Sequence, residues 1–154
     1  MQATKEAMVH STIIRSGIVG VALIALLSAS SVAYAQTVTF KANMSASQEV
    51  PPNDSKGKGT AELTYNPTSK ELTWTITFEG LTGPVVAAHF HGPAASGANA
   101  GVALPIAQGA LTSPATGKAT LTDAQAADLT AGRWYVNLHT AANKGGEIRG
   151  QVTK

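Results

Sequence analysis

The sequence predicts an all-β fold, a Greek-key-like antiparallel β-sandwich or barrel of about 7–8 strands with one short helix. Apolar and polar residues alternate across several segments, most clearly Glu71 to Glu79, where Leu72, Trp74, Ile76 and Phe78 interleave with Thr73, Thr75 and Thr77. Turn residues break these segments about every eight to twelve positions, the rhythm of antiparallel architectures. Only the stretch after Thr122 carries helix signals.

In chain order, Thr37 to Met44 alternates, with Val38, Phe40, Ala42 and Met44 on one side. Pro51-Pro52-Asn53-Asp54 and Lys56–Gly59 end it, because proline lacks a ladder donor and Asn and Gly accept turn dihedrals. Thr60 to Tyr65 is the next strand, turning at Asn66-Pro67 into Glu71 to Glu79. After the Gly80–Pro84 corner, Val85 to His91 puts Val86, Ala88 and Phe90 on one face and Ala87, His89 and His91 on the other. A Gly/Ala/Ser-rich loop follows from Gly92 to Gly101. Val102 to Ala107 is a short strand in which Pro105 marks an edge or a bulge, and Lys118 to Leu121 is another. Thr122 with Gln125 three residues on makes a capping box, and Gly132 sits where the helix should stop. Arg133 to Thr140 and Glu147 to Thr153 close the chain as a hairpin turned by Asn143, Gly145 and Gly146.

Of the 154 residues, 1–35 read as a secretory signal peptide. Lys5 and Arg15 precede an apolar run from Ile18 to Leu27, which leads to Ala33-Tyr34-Ala35, the small-x-small pattern of a cleavage site. The run is half the ~20 residues that a membrane span needs. Residues 36–154 are then one domain, secreted or periplasmic, with no membrane span after cleavage. That domain holds nine Lys and Arg against eight Asp and Glu, scattered singly, so nothing points to nucleic acid. The absence of cysteine excludes disulfides, thiolate metal sites and cysteine nucleophiles.

Four histidines occur, and the three beyond the leader lie at strand ends. His89 and His91, at i and i+2, share a strand face with Cα atoms about 6.5–7 Å apart, close enough to converge on one ion. His139 completes a three-nitrogen set if its strand pairs with or faces theirs. The small residues Ala88, Gly92, Ala141 and Ala142 leave room around the rings. Asn137 and Glu147 are candidates to accept a ligating ring's free N–H and fix its tautomer, and Arg149 shares that hairpin with Glu147. Trp74, Trp134 and Tyr135 read as core. No G-x-S-x-G, H-E-x-x-H or phosphate loop occurs, no catalytic residue stands out, and a role other than catalysis is favoured.

The strings Met44-Ser45-Ala46-Ser47-Gln48-Glu49-Val50-Pro51-Pro52, Ala88-His89-Phe90-His91-Gly92-Pro93, Trp134-Tyr135-Val136-Asn137-Leu138-His139-Thr140 and Gly146-Glu147-Ile148-Arg149-Gly150-Gln151 resemble the chordin-domain (CHRD) family in order and spacing. The resemblance covers residues 38–153. It implies a secreted all-β domain, alone in bacteria and repeated in chordin, an extracellular antagonist of growth factors, but implies no settled activity.

The H-x-H strand with a later strand histidine also resembles the copper half of copper/zinc superoxide dismutase, which makes that fold or an immunoglobulin-like one the expected sandwich. The dismutase cysteine pair, zinc cluster and fourth copper histidine have no counterpart here. The expected partner is a transition ion, copper ahead of zinc on the Irving–Williams order. A metal-free module binding an unknown extracellular protein is the alternative, followed by a copper-dependent oxidoreductase.

Overall fold

The computed structural model describes residues 36–154. The expected leader over residues 1–35 lies outside the described residues. Eight strands and a helix follow in order: β1 Val38–Ser45, β2 Lys58–Asn66, β3 Glu71–Glu79, β4 Val85–His91, β5 Val102–Leu111, β6 Ala115–Thr120, α1 Asp123–Thr130, β7 Tyr135–Thr140 and β8 Ile148–Gln151. A 3-10 turn, Ala46–Gln48, follows β1. Among the described residues no helix is long and apolar enough to cross a membrane.

The strands form one sheet in the order β5-β4-β7-β8-β1-β2-β3-β6, and every pair is antiparallel. Its two edge strands, β5 and β6, are joined by residues 112–114 alone. The four Cα–Cα steps from Leu111 to Ala115 reach at most ~14 Å, so the sheet must roll until its edges come together. The result is nearly a barrel, as the alternating strands and their turn spacing predict. Trp74 of β3 meets Phe90 of β4 edge-on across the interior, with ring centroids 5.5 Å apart.

Period-two alternation becomes burial. Phe40, Leu63, Leu72, Ile76, Phe90, Val136, Leu138 and Ile148 are each at most 1% exposed. Each such side chain contributes roughly 1.5–3 kcal/mol by leaving water. On the wet face the cross-strand pairs Lys41–Glu62, Lys58–Glu79 and Lys118–Glu71 lie within 3.2 Å. Their exposure keeps each to about 0–1 kcal/mol.

The helix begins on the predicted capping box. Thr122 Oγ1 accepts from the Gln125 amide and Gln125 Oε1 accepts from the Thr122 amide, at 3.2 and 2.9 Å. Leu129 plugs its inner side into the core, and Gly132, at φ +69°, ends the segment. Gln125 Nε2 also donates to the Ala103 carbonyl at 2.8 Å, tying the helix to β5.

Several strands differ in extent from the sequence expectation: β2 starts two residues earlier, at Lys58, and β7 two later, at Tyr135. β5 runs on to Leu111 and β6 starts at Ala115. Gln108, Gly109 and Ala110 carry no alternating signal, and their extended form comes from pairing with β4, in the register Ala87↔Gln108 and Val85↔Leu111. β8 is shorter, and beyond it Thr153 meets β1 only through a bridge to Lys41. Pro105 does lie on an edge strand, opposite His89 and next to a register shift.

Candidate metal centre

β4 and β7 are neighbours, which decides where the histidines meet. Ala88 and Phe90 of β4 and Val136 and Leu138 of β7 fill the core, so the alternate positions Ala87, His89, His91, Tyr135, Asn137 and His139 share the other face. The register pairs Ala87 with His139, His89 with Asn137 and His91 with Tyr135. His139 therefore stands diagonal to His89 across a position held by Ala87, whose methyl leaves the space for both rings. Ala88, expected to provide that room, points into the core instead. Gly92 matters through close approach: a Cβ there would lie 2.5 Å from Trp134 Cδ1.

The three imidazoles are half-buried, and one nitrogen from each lies within 4.8 Å of the others. His89 Nδ1 and His139 Nε2 are 3.3 Å apart. Bonds of about 2.0–2.1 Å to a tetrahedral ion separate two nitrogens by about 3.3–3.4 Å, so this pair already has a ligand edge. His91 Nε2 is buried without a hydrogen-bond partner. An unpartnered nitrogen beside two others is the arrangement a cation satisfies, and the donor set fits a transition ion that prefers imidazole.

The opposite nitrogens are held from behind. His91 Nδ1 donates to the Ala100 carbonyl at 3.1 Å and His139 Nδ1 to the Lys144 carbonyl at 2.9 Å. His89 Nε2 meets the Gln108 carboxamide at 2.7 Å. Burial lowers the pKa of His89, and the neighbouring His139 and His91 lower it further. Burial also lowers that of His91, against its backbone carbonyl contacts and with His139 and Arg149 adding to the effect. Both rings are thus held in the neutral form that ligates.

Asn137, Glu147 and Arg149 sit on this side of the sheet but hydrogen-bond to other groups than the three rings. Asn137 Nδ2 donates to Glu49 Oε2 at 3.2 Å. Glu147 is fully buried and accepts from Ser55 Oγ, Thr140 Oγ1, and the amide and hydroxyl of Thr82, all within 2.8 Å. Burial alone would raise its pKa, but these four donors outweigh it and hold the value near 2. Arg149 donates to Asn99 Oδ1 and the Ala98 carbonyl at 2.9 and 2.6 Å, and its Cζ lies 3.5 Å from the Tyr135 ring centroid. The contact expected from Asn137 or Glu147, acceptance of a ring N–H, is made by the carbonyls of Ala100 and Lys144. Side-chain spacing carries no signal for a backbone acceptor.

Two further residues belong to the site without having been expected there. Tyr135, read from the sequence as core, is buried on the opposite face and stacks on His91; it shares the i, i+2, i+4 series with Asn137 and His139, and that periodicity could have placed it. Gln108 lies on a stretch of β5 with no strand signal of its own. Trp74 and Trp134 are core, as expected.

Comparison with known proteins finds the CHRD domain over residues 40–152. No curated protein and no solved structure gives a match.

Proposed function

The chain belongs to the CHRD domain family, and from that premise we propose that it is an exported member that binds one transition ion, copper ahead of zinc, through His89, His91 and His139. Handling or storage of the ion is the role. The observation that carries the reading is the 3.3 Å approach of His89 Nδ1 to His139 Nε2 beside the unpartnered His91 Nε2. Copper is preferred because Cu(II) binds a given imidazole set more tightly than other divalent first-row ions. The leader expected over residues 1–35 would deliver the domain to a periplasm or to the outside of the cell.

The test is a titration of the purified protein with Cu(II) and Zn(II) against a competing chelator, followed by metal analysis after gel filtration. One copper retained per chain, and lost in His89→Ala, is the expected result. A chain that retains neither ion refutes the reading. That outcome would favour a metal-free module, for which the observation is that all three rings already have hydrogen-bond partners within the protein.

A further inference from the structure

We infer that Gln108 is a positioning residue that supports the Nδ1–H form of His89 by donating to its bare Nε2, and that its carboxamide turns over when His89 becomes a ligand. The second half of this inference rests on the metal-binding reading above. The first half follows from proton accounting along a chain of three contacts.

A carbonyl can only accept, so the 2.9 Å contact with the Lys144 oxygen puts the proton of neutral His139 on Nδ1 and leaves Nε2 bare. That bare Nε2 lies 3.3 Å from His89 Nδ1. Two bare nitrogens at this distance would repel, so His89 Nδ1 holds the proton and donates. His89 Nε2 is then bare, and the Gln108 Nε2 amide at 2.7 Å is its donor. All three bonds run in one direction, from Gln108 through His89 and His139 to Lys144.

Ion binding asks little of His91 and His139, whose Nε2 atoms are already bare. His89 is the exception, since the nitrogen facing the other two bears hydrogen. For Nδ1 to ligate, its N–H bond must break, the proton passing to water, while Nε2 takes a proton from water, so the ring's charge is unchanged. The new Nε2–H needs an acceptor where Gln108 had presented a donor. Rotating the carboxamide by half a turn supplies its oxygen at the same place. A carboxamide carries its donor and its acceptor on opposite arms of one planar group, so a half-turn exchanges them at the same place. Gln108 is exposed, so the turn displaces no packed atom. The register shift that brings Gln108 opposite Ala87 is what aims it at His89.

The test reads imidazole tautomers by long-range proton–nitrogen correlation at pH 8, first on protein stripped with chelator and then with Zn(II), which is diamagnetic. Stripped protein should show His89 protonated on Nδ1; after zinc it should show nitrogen coordination at Nδ1 and hydrogen on Nε2. Gln108→Glu, which can only accept, should move His89 to the Nε2–H form without zinc and tighten zinc binding about 10-fold. Gln108→Ala should give a mixture of tautomers and weaker zinc binding, and Gln108→Asn a partial return. His89 protonated on Nε2 in stripped wild type, or a tautomer indifferent to Gln108→Glu, would overturn the inference. Tautomers that respond as stated in a protein that binds no zinc would leave Gln108 as a residue that supports the tautomer and refute the ion reading alone.

Discussion

The rings of Tyr135 and His91 lie parallel, 4.8 Å between centroids and 5° between planes. β7 stands between β4 and β8, so His91 and Arg149 reach Tyr135 from opposite sides. A buried guanidinium thus leans on a candidate ligand through an aromatic spacer. The stack fixes the ring's plane, and the cation behind it disfavours protonation of His91.

Removing the spacer should therefore loosen the ligand rather than delete it. Tyr135→Leu keeps apolar bulk but loses the stack, and competition titration should show zinc and copper affinity reduced by about 10-fold. Tyr135→Phe, which keeps the ring, should bind within a few-fold of wild type. Equal affinity in Tyr135→Leu and wild type would show that the stack does not orient His91.

Protons and a bound ion would compete for the same nitrogens. The pKa values of His89 and His91 lie below the ordinary 6.5, so at these two nitrogens protons compete with an ion only beneath that value, and affinity should decline as pH falls through the lowered values. The same shifts stabilise the fold at neutral pH. A ring whose folded pKa is depressed binds fewer protons folded than unfolded, so stability drops as pH falls from 6.5 through the lowered values. Chelator-competition titrations from pH 8 to pH 5 test the first statement. Urea unfolding of His91→Gln against wild type tests the second, since the variant should lose part of this slope.

Glu49 should act in the opposite sense. Burial lifts its pKa from 4.5 to about 7, against the lowering influence of Arg149 and of the Asn137 hydrogen bond. A raised carboxyl binds more protons folded than unfolded, so its contribution is full below pH 4.5 and is lost as pH rises through 7. Glu49 Oε1 and Asn137 Oδ1 are both buried without partners, and a proton on Glu49 relieves that pair of acceptors. Glu49→Gln should be near neutral in stability at pH 5 and more stable than wild type at pH 8 by roughly 2–3 kcal/mol. Matching differences at the two pH values would contradict a raised pKa.

Glu147 is the clip that joins three segments, with Ser55, Thr82 and Thr140 all donating to it. Glu147→Ala should cost about 3–5 kcal/mol in chemical denaturation, because four donors lose a charged acceptor at once. With its folded pKa near 2, its contribution is present above 4.5 and disappears as pH falls through 2. A variant that unfolds at the wild-type urea midpoint would remove this role.

Legibility in the sequence followed physical range. The strand faces are legible because burial has period two, which is why His89 and His91 fall on one side of their strand and Asn137 and His139 on one side of theirs. Pairing of β4 with β7 was left conditional, since the partner of a strand depends on the whole sheet and not on its own residues. The capping box was visible because its two residues lie within one turn. What stayed hidden was nonlocal or carried by the main chain: the carbonyls of Ala100 and Lys144, the extension of β5 through pairing with β4, and the burial of Glu49 and Arg149 beneath loops. Glu147 and Arg149, expected on one strand face, end up with Glu147 just ahead of β8, and each hydrogen-bonds to neutral partners.

His89 and His139 are fifty positions apart in sequence and in contact in space. In a chain without cysteine, an ion shared between them would be a removable cross-link. Tying off a fifty-residue circuit restricts the unfolded chain by an entropy worth about 4 kcal/mol in the disulfide case. Resistance to unfolding would then follow the free ion concentration of the surroundings, and withdrawal of the ion would slacken β4 against β7 before any other pair of strands.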